Sequence, residues 1–187
     1  MAGRHVVRLA AVAFAVLACA VPAADAQAVF ETPGLITSAG QSSDVAIIKV
    51  MLNTQLKLGL EYKPIAQPSD LAGMKALVVS VGASTKGLGA AGLDMPREIA
   101  RTTALLKAAK SEGLRVLVLH TGGEARRGKT SNDLIQAVLP LADHVVVVAA
   151  GNKDKLFTTL GEKHGVPVTE VAKLADAGGA VRALFKQ

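Results

Sequence analysis

The chain has 187 residues, one cysteine, four histidines, no tryptophan, 3% aromatic residues and a formal net charge of +6. That length suits one domain with a sizeable core and does not suit a two-domain binding protein. The lone Cys19 excludes an intramolecular disulfide. The scarce aromatics leave no stacking platform for nucleic acid, and the mild basicity favours anionic partners.

The first element in chain order is a targeting segment, residues 1–26. Arg4 and Arg8 form a positive region, Leu9–Val21 is uncharged, and Ala24-Asp25-Ala26 is a small-residue cleavage site. Cleavage there leaves Gln27 first and residues 27–187 as a single α/β domain without a thiol. The apolar run is shorter than the roughly 18–20 residues that span a bilayer, and Pro22 ends any helix just beyond it. No permanent anchor is therefore expected, and the predicted location is periplasmic or secreted. Val16-Leu17-Ala18 ahead of Cys19 looks like a lipobox. Lipidation at Cys19 is the alternative route, and the one way to a membrane.

Beyond residue 26, short β-rich runs alternate with helical stretches, the pattern of a parallel sheet covered on both faces. Strands are predicted at Leu35–Ser38, Leu60–Ala66, Ala76–Val81, Arg115–His120, His144–Ala149 and Val166–Val171. The third to fifth are nearly continuous aliphatic runs and should form the centre. Helices are predicted at Asp44–Leu58, Met95–Ser111, Asn132–Leu141, Lys153–Lys163 and Ala177–Phe185. Ser43 or Asp44, Asp94, Thr130 or Ser131, and Asn152 supply helix N-caps, and Gly59, Gly113 and Gly165 supply left-handed C-terminal positions. Gln67–Lys75, with Pro68 and Gly73, should hold only one helical turn. Asp70–Val79 is similar to the approach to a central strand in flavodoxin-like and glutamine-amidotransferase-like proteins. The expected fold is thus a three-layer α/β sandwich with five or six mostly parallel strands, flavodoxin-like in order 2-1-3-4-5 with the sixth strand at the edge. The alternative is the Rossmann-like order 3-2-1-4-5-6.

Ligands of open parallel sheets bind beyond the carboxyl ends of the strands. Four loops there are rich in glycine, hydroxyls and cations: 38–44, 82–94, 120–131 and 150–153. The candidate ligand-binding residues are Ser38, Gln41, Ser42, Ser43, Ser84, Thr85, Lys86, His120, Glu124, Arg126, Arg127 and Asn152. Arg126 and Arg127, with Lys86 and Lys129, form the strongest basic group, since guanidinium forks grip carboxylates and phosphates.

Pro33–Ser42, Lys86–Asp94 and Gly122–Gly128 carry a resemblance to a family of small exported bacterial proteins known only as a domain of unknown function. The likeness spans nearly the whole chain after the signal. It implies export and brings no activity, cofactor or catalytic residue.

Two familiar patterns are discounted. Gly123–Thr130 satisfies the Walker A spacing, but three residues separate it from the preceding strand and no Walker B aspartate follows. Gly87-Leu88-Gly89-Ala90-Ala91-Gly92 satisfies the dinucleotide fingerprint, but Ser84–Lys86 intervene and the supporting acid is missing. No Gly-Xaa-Ser-Xaa-Gly elbow is present and the histidines show no metal-ligand spacing, so neither cofactor nor metal is expected. The leading expectation is a binding or accessory module for a small anionic solute, serving a transporter or another envelope protein, without catalysis. One alternative is an enzyme using His120 and Glu124 as an acid/base pair near Ser84 or Thr85. The other is a module that docks these loops on an envelope protein.

Overall fold

The computed structural model describes residues 30–186. The expected signal segment, Cys19 and Gln27 lie outside the described residues.

Six parallel strands form one sheet in the order β2-β1-β3-β4-β5-β6. They are β1 (Gly34–Ala39), β2 (Glu61–Tyr62), β3 (Ala76–Val81), β4 (Arg115–His120), β5 (His144–Val148) and β6 (Val168–Val171). This is the flavodoxin-like order and not the Rossmann-like alternative. The helices are α1 (Asp44–Lys49, continued by a π-helical stretch, Val50–Gln55), α2 (Thr85–Ala90), α3 (Met95–Ser111), α4 (Lys129–Val138), α5 (Leu156–His164) and α6 (Leu174–Leu184). Among the described residues no helix is long and apolar enough to cross a membrane.

The aliphatic strands bury both faces because helices cover both. On one side Leu77, Val79, Val116, Val118, Val145 and Val147 pack with Leu105 and Leu106 of α3, Leu134 and Ile135 of α4 and Phe157 of α5. On the other, Ile36, Val78, Leu117, Leu119 and Val146 pack with Ile48 and Leu52 beside α6 residues Ala177 and Val181. Each fully buried Leu or Ile adds about 1.5–3 kcal/mol of hydrophobic stabilisation. The three layers therefore hold without a covalent link among the described residues.

Several boundaries differ from the sequence expectation, each for a local reason. β2 is two residues long and not Leu60–Ala66: Lys63 N still donates to Ile36 O at 3.0 Å, but Ser38 N then takes Pro64 O at 3.1 Å, one residue out of register, and the ladder ends beside a proline. β6 likewise starts after Pro167, while the Val166 amide bonds Gly161 O at 2.9 Å and closes α5. α4 starts at Lys129, and its N-cap is Gly128 (φ 138°) rather than Thr130 or Ser131. The Ser131 hydroxyl accepts from Ala83 N at 3.0 Å instead, tying α4 to the end of β3. Asp94 does cap α3, accepting from Arg97 N at 2.9 Å. Gly59, Gly113 and Gly165 are all left-handed, and Pro68–Leu71 forms the single 3-10 turn expected there.

Where the sequence predicts only a loop, residues Thr85–Ala90 form α2. Its two glycines disfavour a helix, yet Ser84 caps it by accepting from Gly87 N at 3.1 Å. Gly87 is required by close approach: a Cβ there would run into the Gln41 carbonyl oxygen. Gly92 takes φ 66° just after the helix. The apparent dinucleotide fingerprint is thus a capped short helix pressed against the β1 loop.

Candidate functional site

Because every strand runs the same way, all four polar loops emerge on one edge. The strand order reverses between β1 and β3, and their loops meet there. Gly82 N donates to Ala39 O at 2.9 Å, Ser84 N to Gly40 O at 2.8 Å, and Gln41 bridges Ala83. The loop after β4 closes over the same point. It begins as a 3-10 turn, Gly123–Arg126, and delivers Arg126 to the first turn of α1.

There Arg126 Nε donates to Asp44 Oδ2 at 3.1 Å and Nη2 to Ser43 Oγ at 3.2 Å. Ser42 Oγ donates to the same Asp44 oxygen at 2.6 Å. The Arg126 side chain is 32% exposed and that of Asp44 13%. Gly122 makes room for the pair, whereas Gly82 only lies in ordinary contact with it. A Cβ on Gly122 would lie 2.5 Å from Asp44 Oδ2, and one on Gly82 would lie 3.8 Å from it. Of the candidates, Ser42, Ser43 and Arg126 are therefore gathered into one cradle, with Asp44 added.

The other members have different work. Arg127 does not join Arg126. It is turned the opposite way and donates to Asn132 Oδ1 at 2.9 and 3.1 Å, to both Asp154 oxygens at 2.8 and 2.9 Å, and to Gly151 O. Its guanidinium also lies over the Phe157 ring, 5.6 Å from the centroid. The two-arginine grip on a ligand is corrected accordingly, because this guanidinium ties the β4 and β5 loops together. Asn152 is also structural. Fully buried, it donates to Thr158 Oγ1 and Glu170 Oε2 and accepts from Phe157 N at 3.0 Å, acting as a cap on α5.

His120 and Glu124 are not joined into an acid/base pair. The buried His120 ring puts Nδ1 2.9 Å from Val81 O and Nε2 3.2 Å from Gly123 O, and it packs on Phe157. A neutral imidazole has one N–H, so one of those carbonyls faces a lone pair. Burial nevertheless holds the ring below the ordinary histidine pKa, against the pull of the two carbonyls. Glu124 points outward to Lys153 Nζ at 2.5 Å, and that hydrogen bond lowers its pKa. Ser84 is spent on the α2 cap, while Thr85 and Lys86 stand exposed on the first turn of α2. Thr85 and Thr130 line a cavity of about 380 Å³ with Ala83, Leu88, Leu93 and Met95. Lys129 is exposed and pairs with Asp133 of its own helix at 2.9 Å.

Gln41 faces inward, with a left-handed backbone at φ 55°. Its amide donates to Glu98 Oε1 at 2.9 Å and to Pro64 O at 3.2 Å. Glu98 is one half of a buried ion pair that the sequence reading missed. Its Oε1 also accepts from Gly40 N at 2.8 Å, and Oε2 accepts from Arg101 Nε at 2.8 Å. Arg101 in turn donates to Ala66 O at 2.8 Å and to Ser38 O at 2.5 Å. The pair fixes the β1 loop against α3 and the segment after β2. A signal was present: Glu98, Arg101 and Thr102 continue the stripe of Leu105, Leu106 and Ala109. Charges on a buried stripe must be paired.

The fold and the site at the β1–β3 reversal define a flavodoxin-like α/β sandwich with a polar cradle at its carboxyl edge. The chain belongs to the family described as Domain of unknown function (DUF6305), whose model matches residues 31–185. A search of the curated proteins found no match.

Proposed function

We propose that the protein is an exported binding or accessory module that holds a small anionic ligand at the cradle between β1 and β3, without catalysis. Residues 1–26 direct export, and residues 27–187 form the binding domain. The observation that carries this reading is Arg126, a partly exposed arginine whose stem packs on Gly122 and whose guanidinium lies among Asp44 and the hydroxyls of Ser42 and Ser43. Its Nη1 makes no hydrogen bond among the described residues, so the fork can still donate to an oxyanion. Lys86 adds positive charge on the same edge and raises the local concentration of anions. Ligand binding to the native state raises its melting temperature. A thermal-shift screen of the protein from Gln27 onward against inorganic oxyanions and small organic acids tests the idea. An anion that raises the Tm of the wild type and not of Arg126→Gln is the expected result. A screen in which no anion acts, or in which every effect survives Arg126→Gln, refutes it.

A further inference from the structure

We infer that the cavity bounded by α2, α3 and α4 is a binding site separate from the Arg126 cradle. Its ligand is a small neutral molecule with an apolar body and one hydroxyl-like head, and Gly89 keeps the site open.

The walls are set by local rules. α2 ends in a Schellman arrangement: Gly92 is left-handed at φ 66°, its N–H donates to Gly89 O at 3.1 Å, and Leu93 N donates to Leu88 O at 2.9 Å. That turn carries the chain back and sets Leu93 beside Leu88. Asp94 then caps α3, which starts at Met95. On the other side the Ser131 hydroxyl holds the first turn of α4 against Ala83 N, which brings Thr130 to the same space. The cavity between them has a volume of about 380 Å³, and Thr85, Gly89 and Asp94 complete its lining. It lies beyond the carboxyl end of β3, on the edge where open parallel sheets take ligands. Its volume is that of a small-molecule site.

Three glycines lie in or beside α2, and two of them have structural reasons. Gly87 lies against the Gln41 carbonyl oxygen, and Gly92 is left-handed. Gly89 has neither reason, since its φ is not positive and a Cβ there would meet nothing within 4 Å. Glycine weakens a helix interior, so the fold gains nothing from it at this position. Gly89 stands four residues from Thr85 on the same face of α2, and both line the cavity. A larger side chain at 89 would project beside Thr85 into that space. The missing side chain leaves the cavity free.

The lining selects the ligand. Ala83, Leu88, Leu93 and Met95 make it mainly apolar, which calls for an apolar body. The hydroxyls of Thr85 and Thr130 stand on different helices, and neither makes a hydrogen bond among the described residues. A hydroxyl donates and accepts, so the two suit a head that does both. Asp94 is the one charged residue of the lining. Its side chain is 59% exposed, accepts from Arg97 N and has the Arg97 guanidinium at 3.7 Å. The carboxylate repels an anionic head, while its exposure and its own arginine leave little attraction for a cationic one. The head that fits is neutral.

Protein-observed NMR titration at pH 7 with three probes of one body and different heads tests this: para-cresol, para-toluate and para-methylbenzylamine. Para-cresol is expected to shift the amides of Thr85, Gly89, Leu93 and Thr130, and to bind at least tenfold more tightly than either charged probe. Gly89→Leu suits a helix better than glycine and meets no clash, so it should fold and weaken para-cresol at least tenfold. The comparison of probes on the wild type stands if the variant fails to fold. No binding by any probe, shifts confined to other parts of the protein, or unchanged affinity in folded Gly89→Leu overturns the inference. A charged probe that binds as tightly as para-cresol overturns it too, because the neutral head is then not what the lining selects.

Discussion

Arg127→Ala should destabilise the protein far more than Arg126→Ala, although the two arginines are neighbours in the chain. Arg127 is 12% exposed in its side chain and ties Gly151 O, Asn132 and Asp154 together above Phe157. Asp154 is 55% exposed, so it rehydrates when the guanidinium leaves and adds little. The Gly151 carbonyl belongs to a buried residue and loses a charge-assisted donor, which costs about 1–3 kcal/mol. Loss of the contact with the Phe157 ring adds about 0.5–1 kcal/mol. Part of the Asn132 interaction is lost as well, giving a total of about 3 kcal/mol. For a domain of this size that lowers the Tm by about 6–12 °C. Arg126→Ala leaves Asp44 bonded to Ser42 Oγ, and because Arg126 is itself 32% exposed its removal uncovers the 13% exposed carboxylate to water, so the loss should be about 1 kcal/mol. Urea melts of both variants, followed by circular dichroism, give the comparison. Equal losses, or a loss below about 1 kcal/mol for Arg127→Ala, would refute the division of labour between the two arginines.

Glu98→Gln leaves the Arg101 guanidinium buried without its carboxylate and should cost about 3–5 kcal/mol in the same assay, whereas an exposed pair would lose under about 1. Burial lowers the folded-state pKa of both His120 and His144 below the ordinary value of 6.5. The unfolded chain then binds more protons just below that value, so their contribution is fully present above pH 6.5 and is lost as the pH falls through the folded values. Thermal melts from pH 8 to pH 5 should show a decline that His120→Gln reduces, and a flat profile would contradict it. Mass spectrometry of protein recovered from an exporting host should find Gln27 at the N-terminus. A diacylated species beginning at Cys19 would establish lipidation instead, and an uncleaved chain would defeat both.

The central strands were legible because a buried parallel strand needs a nearly continuous aliphatic run, and Ala76–Val81, Arg115–His120 and His144–Val148 have one, whereas the choice between two strand orders was made only by the pairing of β2 with β1. The helix ends were legible where a single residue acts locally, as Asp94 does at α3 and Gly165 does after α5. The edge that gathers the polar loops followed from the βα alternation alone. None of this required knowledge of which side chains meet. Local chemistry could not separate Arg126 from Arg127, since both are cations in one polar loop. Their fates diverge because the 3-10 turn at Gly123–Arg126 sends one toward Asp44 and the other toward Asp154, partners 82 and 27 residues away. Glycine meaning was hidden in the same way. Gly87 reads as a phosphate-binding signal in the sequence and is a contact surface for the Gln41 carbonyl in the fold. The sequence by itself determined periodicity, punctuation and the edge on which a site can form, because those are set by neighbours in the chain. Only the tertiary structure decided that the Glu98–Arg101 pair of α3 meets Gly40, Ala66 and Ser38, that His120 is held by Val81 while Glu124 is drawn out to Lys153, and that Arg126 reaches Asp44. Those outcomes depend on strand register and loop closure, which join residues that the chain keeps far apart.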